Sequence, residues 1–127
     1  MFGLGKKEDP ELAEARKLAK QANVTTAEYG IFARELIAEG ISSGTIPRGT
    51  DKDVIRETIA DYEQRIEKKV HRQIFDYLDT AGRTRQLDLV LDSDIPASAY
   101  FSAVIPNYRQ FLLDACQRAK AEIKSGK

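Results

Sequence analysis

Apolar side chains recur along this chain at intervals of three and four residues, the spacing that places them on one side of an α-helix. The longest such run is Ile55, Ile59, Tyr62, Ile66, Val70, Ile74 and Leu78, with no glycine or proline until Gly82. It predicts one uninterrupted amphipathic helix over about 51–81, roughly 45 Å long at about 1.5 Å per residue. Thr50 precedes it as a cap, and Asp51 and Asp53 fall in its first turn, where the helix dipole favours negative charge.

The same pattern recurs on either side. Asp9-Pro10-Glu11 reads as a helix start, with a capping carboxylate and then a proline whose missing N–H costs nothing there. Leu12, Ala15, Leu18, Ala19 and Ala22 form a thin stripe after it, ending near Asn23. Thr25-Thr26-Ala27-Glu28 has the spacing of a capping box for a helix carrying Tyr29, Phe32, Ala33, Leu36 and Ile37, with Gly40 placed to close it. Residues 42–49 are a loop. Thr84 opens a short helix through Leu87, Val90 and Leu91. Alternation of Leu87, Leu89 and Leu91 would suit a strand, but no other segment offers a partner. Asp94-Ile95-Pro96 starts another short helix, and Ile105-Pro106-Asn107-Tyr108 starts the last one, with Phe111, Leu112, Ala115, Ala119 and Ile123 on its face.

These elements predict an all-α protein, a compact bundle of five to six helices organised around helix 51–81. The others would fold back on it through Phe32, Leu36, Leu87, Leu91, Tyr100, Val104, Phe111 and Leu112. One helical domain over 9–124 is expected, with a flexible segment at 1–8 and a frayed end at 125–127. The 127-residue length suits a single domain.

Charge narrows the function classes. Lys plus Arg and Asp plus Glu number 20 each, so no basic field draws nucleic acid to the molecule as a whole. One cysteine, Cys116, rules out an intrachain disulfide and fits a reducing, cytoplasmic setting. No apolar run is long enough for a signal peptide or a bilayer span. Phe2 and Leu4 before Lys6 and Lys7 are too few to anchor the chain on a membrane.

Candidate chemistry is sparse. His71 is the only histidine and has neither the companions of a zinc site nor those of a catalytic triad. Cys116 lies late in a helix, where the dipole opposes a thiolate, and reads as a packed small side chain. Asp88, Asp92 and Asp94 cluster, but neither EF-hand register places glycine and glutamate where calcium requires them. No metal, cofactor or catalytic set is expected, so the chain reads as no enzyme. Gly3-Leu4-Gly5-Lys6 lacks the spacing of a phosphate loop. Arg65, Lys68, Lys69, Arg72, Arg83 and Arg85 form a candidate nucleic-acid patch. Asp61, Glu67, Asp76 and Asp79 stand within a turn or two, and Asp61–Arg65 and Arg72–Asp76 have ion-pair spacing, which favours a solvated face.

The succession Ile74-Phe75-Asp76-Tyr77-Leu78, Asp92-Ser93-Asp94, Ala99-Tyr100-Phe101 and Ile105-Pro106-Asn107-Tyr108 with Phe111-Leu112 resembles a short helical module of unknown function that recurs in small bacterial proteins. The resemblance covers about 70–123 and implies helical architecture, without an activity or site residues. The favoured expectation is therefore a non-enzymatic helical protein–protein interaction module that pairs with a protein partner or with itself as a homodimer. Nucleic-acid association through the Arg65–Arg85 patch is the alternative, and an enzyme built on carboxylate and tyrosine chemistry is the second alternative.

Overall fold

A computed structural model describes residues 8–126. Among them are six helices and no strand: α1 Pro10–Gln21, α2 Tyr29–Ser43, α3 Lys52–Thr80, α4 Thr84–Leu91, α5 Ala97–Val104 and α6 Tyr108–Lys124. The all-α class and the long unbroken helix are as the periodicity predicts. The expectations for residues 1–7 and Lys127 lie outside the described residues.

The helix starts follow local chemistry, with three departures from the sequence pattern. Asp9 caps α1, its carboxylate accepting the Glu11 N–H at 2.9 Å. The capping box at Thr25–Glu28 does not form: α2 begins at Tyr29 after Glu28 without a side-chain cap, and the Thr25 N–H donates to Ser102 Oγ at 3.0 Å instead. Gly40 does not end α2. The helix runs on to Ser43, and Gly44 at φ 83° supplies the left-handed turn. Gly40 has a different use, because a Cβ there would lie 2.7 Å from Ile46 Cδ1 and 2.9 Å from Cγ1. The loop folds back onto the helix in the space that glycine leaves, and the Ile46 N–H donates to the Gly40 carbonyl at 2.9 Å. The third departure is at α3, where Asp51 rather than Thr50 is the cap. Asp51 Oδ1 accepts the Asp53 N–H at 2.8 Å, while the Thr50 hydroxyl turns back to the Pro47 carbonyl.

The described chain forms two compact units, with α3 contributing to both. One comprises residues 8–26 and 74–109. There Ala15, Leu87, Val90, Ile95, Ala99, Tyr100 and Phe101 are buried, and Phe101 meets Phe75 edge-on at 6.5 Å between ring centres. The other comprises residues 27–73 and 110–126, with Phe32, Leu36, Ile66, Val70, Leu112, Ala115 and Cys116 buried. Within it, the ion pairs Glu35–Lys120 and Glu39–Lys124 keep a constant offset, so α2 and α6 run in the same direction. Gln73 Nε2 donates to the Ala115 carbonyl at 3.1 Å and Lys69 pairs with Glu122 at 3.1 Å, so α3 and α6 run in opposite directions. Leu91, expected in the core, is 51% exposed, because the eight-residue α4 already buries Leu87, Val90 and Gln86 on its inner side.

Candidate interaction surface

Burial changes along α3. Ile66 and Val70 are fully buried, but toward the start of the helix Tyr62, Ile59 and Ile55 are only half-buried and Val54 is 48% exposed. The first eleven residues therefore carry a partly covered apolar row of Ile55, Ile59 and Tyr62, with Val54 on another side of the helix. Ile31 on α2 and Leu113 on α6, in the same unit, also stand largely in solvent.

On the opposite side of the helix from this row runs a charged strip. Asp53, Glu57, Asp61, Arg65, Lys68 and Arg72 are all exposed. At 3.6 residues per turn they fall within about a third of the helix circumference. The acids occupy the first half and the bases the second. Asp53 bonds Arg56 at 3.3 Å, Asp61 faces Arg65 at 3.7 Å, and Arg65 lies over the Tyr62 ring at 5.6 Å. Every one of these contacts is local to one or two turns of a single helix, and such exposed pairs contribute little to stability.

The six basic residues singled out by sequence are not equivalent. Lys69 is drawn down to Glu122, leaving its side chain 16% exposed. Arg83 Nη1 donates to Gln86 Oε1 at 2.7 Å, and Arg85 binds Asp9 at 2.6 Å and Glu11 at 3.3 Å. Arg83 and Arg85 belong to the unit of residues 8–26 and 74–109, whereas the other four belong to the second unit. Of these six, Lys68 and Arg72 stand exposed with no ion pair to another described residue. Of the acidic half, Asp53 in the first turn and Asp61 beside Arg65 are read from sequence, but Glu57 is missed, and with it the continuous row. Its signal was the four-residue spacing of Asp53, Glu57 and Asp61, continuous with that of Arg65.

Elsewhere the polar groups are occupied with one another. Cys116 is 2% exposed, and burial pushes its thiol up to about 11, so it stays protonated and unreactive at neutral pH. Tyr29 is likewise raised to about 12, first by burial and then by the nearby Cys116 and Glu67. In the carboxylate cluster, Asp94 is taken by Arg16 at 2.9 Å, which holds its carboxyl below the usual aspartate value. Among the described residues no group of three His, Cys, Asp or Glu side chains could hold a metal. Likewise no buried side-chain nitrogen or oxygen there lacks a hydrogen-bond partner.

A cavity of about 310 Å³ opens beside Leu36, Gly40, Tyr62 and Ile123. Its polar rim is internally satisfied, Ser43 with Thr45 at 3.0 Å and Glu39 with Lys124. No helix of the described residues is long and apolar enough to cross a membrane. Comparison with protein families, curated proteins and solved structures gives no match for this chain.

Proposed function

We propose that this chain is a non-enzymatic helical interaction module that works by covering the first half of α3 against a protein partner. The observation behind this reading is the fall in burial along one row of a continuous helix, from Ile66 and Val70, fully buried, to Tyr62, Ile59 and Ile55, half-buried. A half-covered apolar stripe gains free energy when a partner removes it from water, at roughly 25 cal/mol for each Å². Protein is favoured over nucleic acid as that partner because Asp53, Glu57 and Asp61 share the exposed face with Lys68 and Arg72. A phosphate backbone laid along the helix would meet three carboxylates. The protonated, buried Cys116 suits a reducing cytoplasm.

Ile55→Asp is the test, since Ile55 lies on the half-covered row and outside the buried core. Light scattering and pull-down from the source cells should give self-association or a captured protein that this variant loses. A strict monomer that captures nothing sensitive to Ile55→Asp overturns the reading.

A further inference from the structure

We propose that the partner of α3 is a second copy of the same chain, its α3 laid alongside in the opposite direction. The inference goes beyond the interaction reading above, because this pairing uses the exposed charged side of α3 and not the half-covered apolar row. The support is charge complementarity of the exposed strip with itself. Asp53 and Arg72, and Glu57 and Lys68, are symmetric about one point between Tyr62 and Glu63, and Asp61 and Arg65 are symmetric about Glu63, half a residue away. A two-fold axis near residues 62–63 brings every acid of one copy to the level of a base of the other, and the symmetry doubles three pairings to six. Two copies running in the same direction would set acid against acid and base against base.

The local contacts do not oppose this. Arg65 reaches Asp61 of its own helix at only 3.7 Å, and Lys68 and Arg72 have no ion pair among the described residues to give up. Val54 lies in the same sector of the helix as the charges and supplies apolar contact at the edge. The strip spans about 30 Å. One helix pair of that length belongs with interfaces smaller than roughly 1,200 Å², which are weak and transient. Exposed ion pairs govern its specificity, so association is salt-sensitive.

Sedimentation of the full chain at low salt, with Glu57→Lys and Lys68→Glu as single variants, tests the register. The wild type should self-associate, and association should fall as salt rises from about 0.05 M to about 0.5 M. Each single variant places like charges opposite one another twice and should weaken association about tenfold. Mixed in equal amounts, the two variants should associate with each other as well as the wild type does with itself, because Lys replaces Glu on one side where Glu replaces Lys on the other. That mixture needs no chain carrying both changes, and circular dichroism of each variant checks that its helices persist.

Unchanged association in the single variants, or a mixture that fails to recover, overturns the antiparallel pairing. Loss of association in Ile55→Asp alone would then leave the interaction reading standing. A wild type that stays monomeric at low salt also overturns the pairing. If that monomer binds DNA or RNA, and Lys68→Glu abolishes the binding, the partner is nucleic acid.

Discussion

The two units are fastened in different ways. In the unit of residues 8–26 and 74–109 the tie is buried and uncharged at its centre. Gln86, 5% exposed, accepts hydrogen bonds from the Tyr100 hydroxyl and from Arg83, each at 2.7 Å, and donates to the Glu11 carbonyl at 2.9 Å. One amide thereby joins α4 to both α1 and α5. In the other unit, besides the part-buried hydrogen bond from Gln73 to the Ala115 carbonyl, the ties between helices are ion pairs nearer the surface, of Glu35 and Glu39 with Lys120 and Lys124 and of Lys69 with Glu122. A buried hydrogen bond is costly to leave half-made, whereas a surface ion pair exchanges its partners for water at little cost. The first arrangement specifies one interior. The second leaves a charged exterior that other molecules can use.

Gln86→Ala should break this difference open with the largest effect. It removes the acceptor from Tyr100, which has no access to water, and the donor from the Glu11 carbonyl. The expected loss is about 2 to 4 kcal/mol, read as a lower urea midpoint with unchanged slope. Tyr100→Phe leaves Gln86 Oε1 its bond from Arg83 and should cost about 1 kcal/mol. A loss below about 1 kcal/mol for Gln86→Ala would mean that water replaces the amide and the knot fastens nothing.

The all-α class and the span of α3 are legible in the sequence, because a seven-member stripe free of glycine and proline has no other regular solution. The α1 cap at Asp9 and the breaks at Gly82 and Pro106 are legible for the same kind of local reason. The α2 boundaries are not. Thr25 has the spacing of a capping box, but Ser102, distant in sequence, competes successfully for its N–H. Gly40 looks like a stop until Ile46, six residues on, occupies the space above it. Gln86 is invisible to periodicity for the converse reason. It is a polar residue on the inner side of α4 and is satisfied only by α1, α5 and Arg83. For the candidate surface, the basic half was legible as a charge run. Its significance was not, because the commitment of Lys69, Arg83 and Arg85 to partners elsewhere depends on the fold.

A smaller effect should come from alkaline pH, which acts on the interior of the second unit. Cys116 ionises near 9.0 in an exposed chain and near 11 in the folded one. Its folded pKa is raised, so its contribution is fully present below the unfolded value and is lost as pH rises through the folded one. Between about pH 9 and 11 folding stability should fall by at most about 2 to 3 kcal/mol on this account. Cys116→Ala should flatten that part of the profile, and Tyr29, raised by the same burial, should steepen its upper end. If the Cys116→Ala profile superimposes on the wild type, the thiol is reached by water.

The smallest effect tests the surface ties themselves. Lys120 bonds Glu35 at 3.0 Å and also Glu39, and its side chain is 15% exposed. Glu39, hydrogen-bonded first by Lys120 and then by Lys124, is held below its ordinary 4.5, and Lys120 is held above its ordinary 10.5. The carboxylate part of the contribution is present above 4.5 and lost as acid is added, and the ammonium part is present below 10.5 and lost as base is added. Between those limits Lys120→Met, which keeps the apolar stem over the α2–α6 seam, should cost no more than about 1 kcal/mol. In about 1 M salt, where screening acts over roughly 3 Å, most of that cost should vanish. A loss comparable to that of Gln86→Ala and indifferent to salt would show that Lys120 acts as a buried strut. The contrast between an inner knot and an outer lattice would then have to be redrawn.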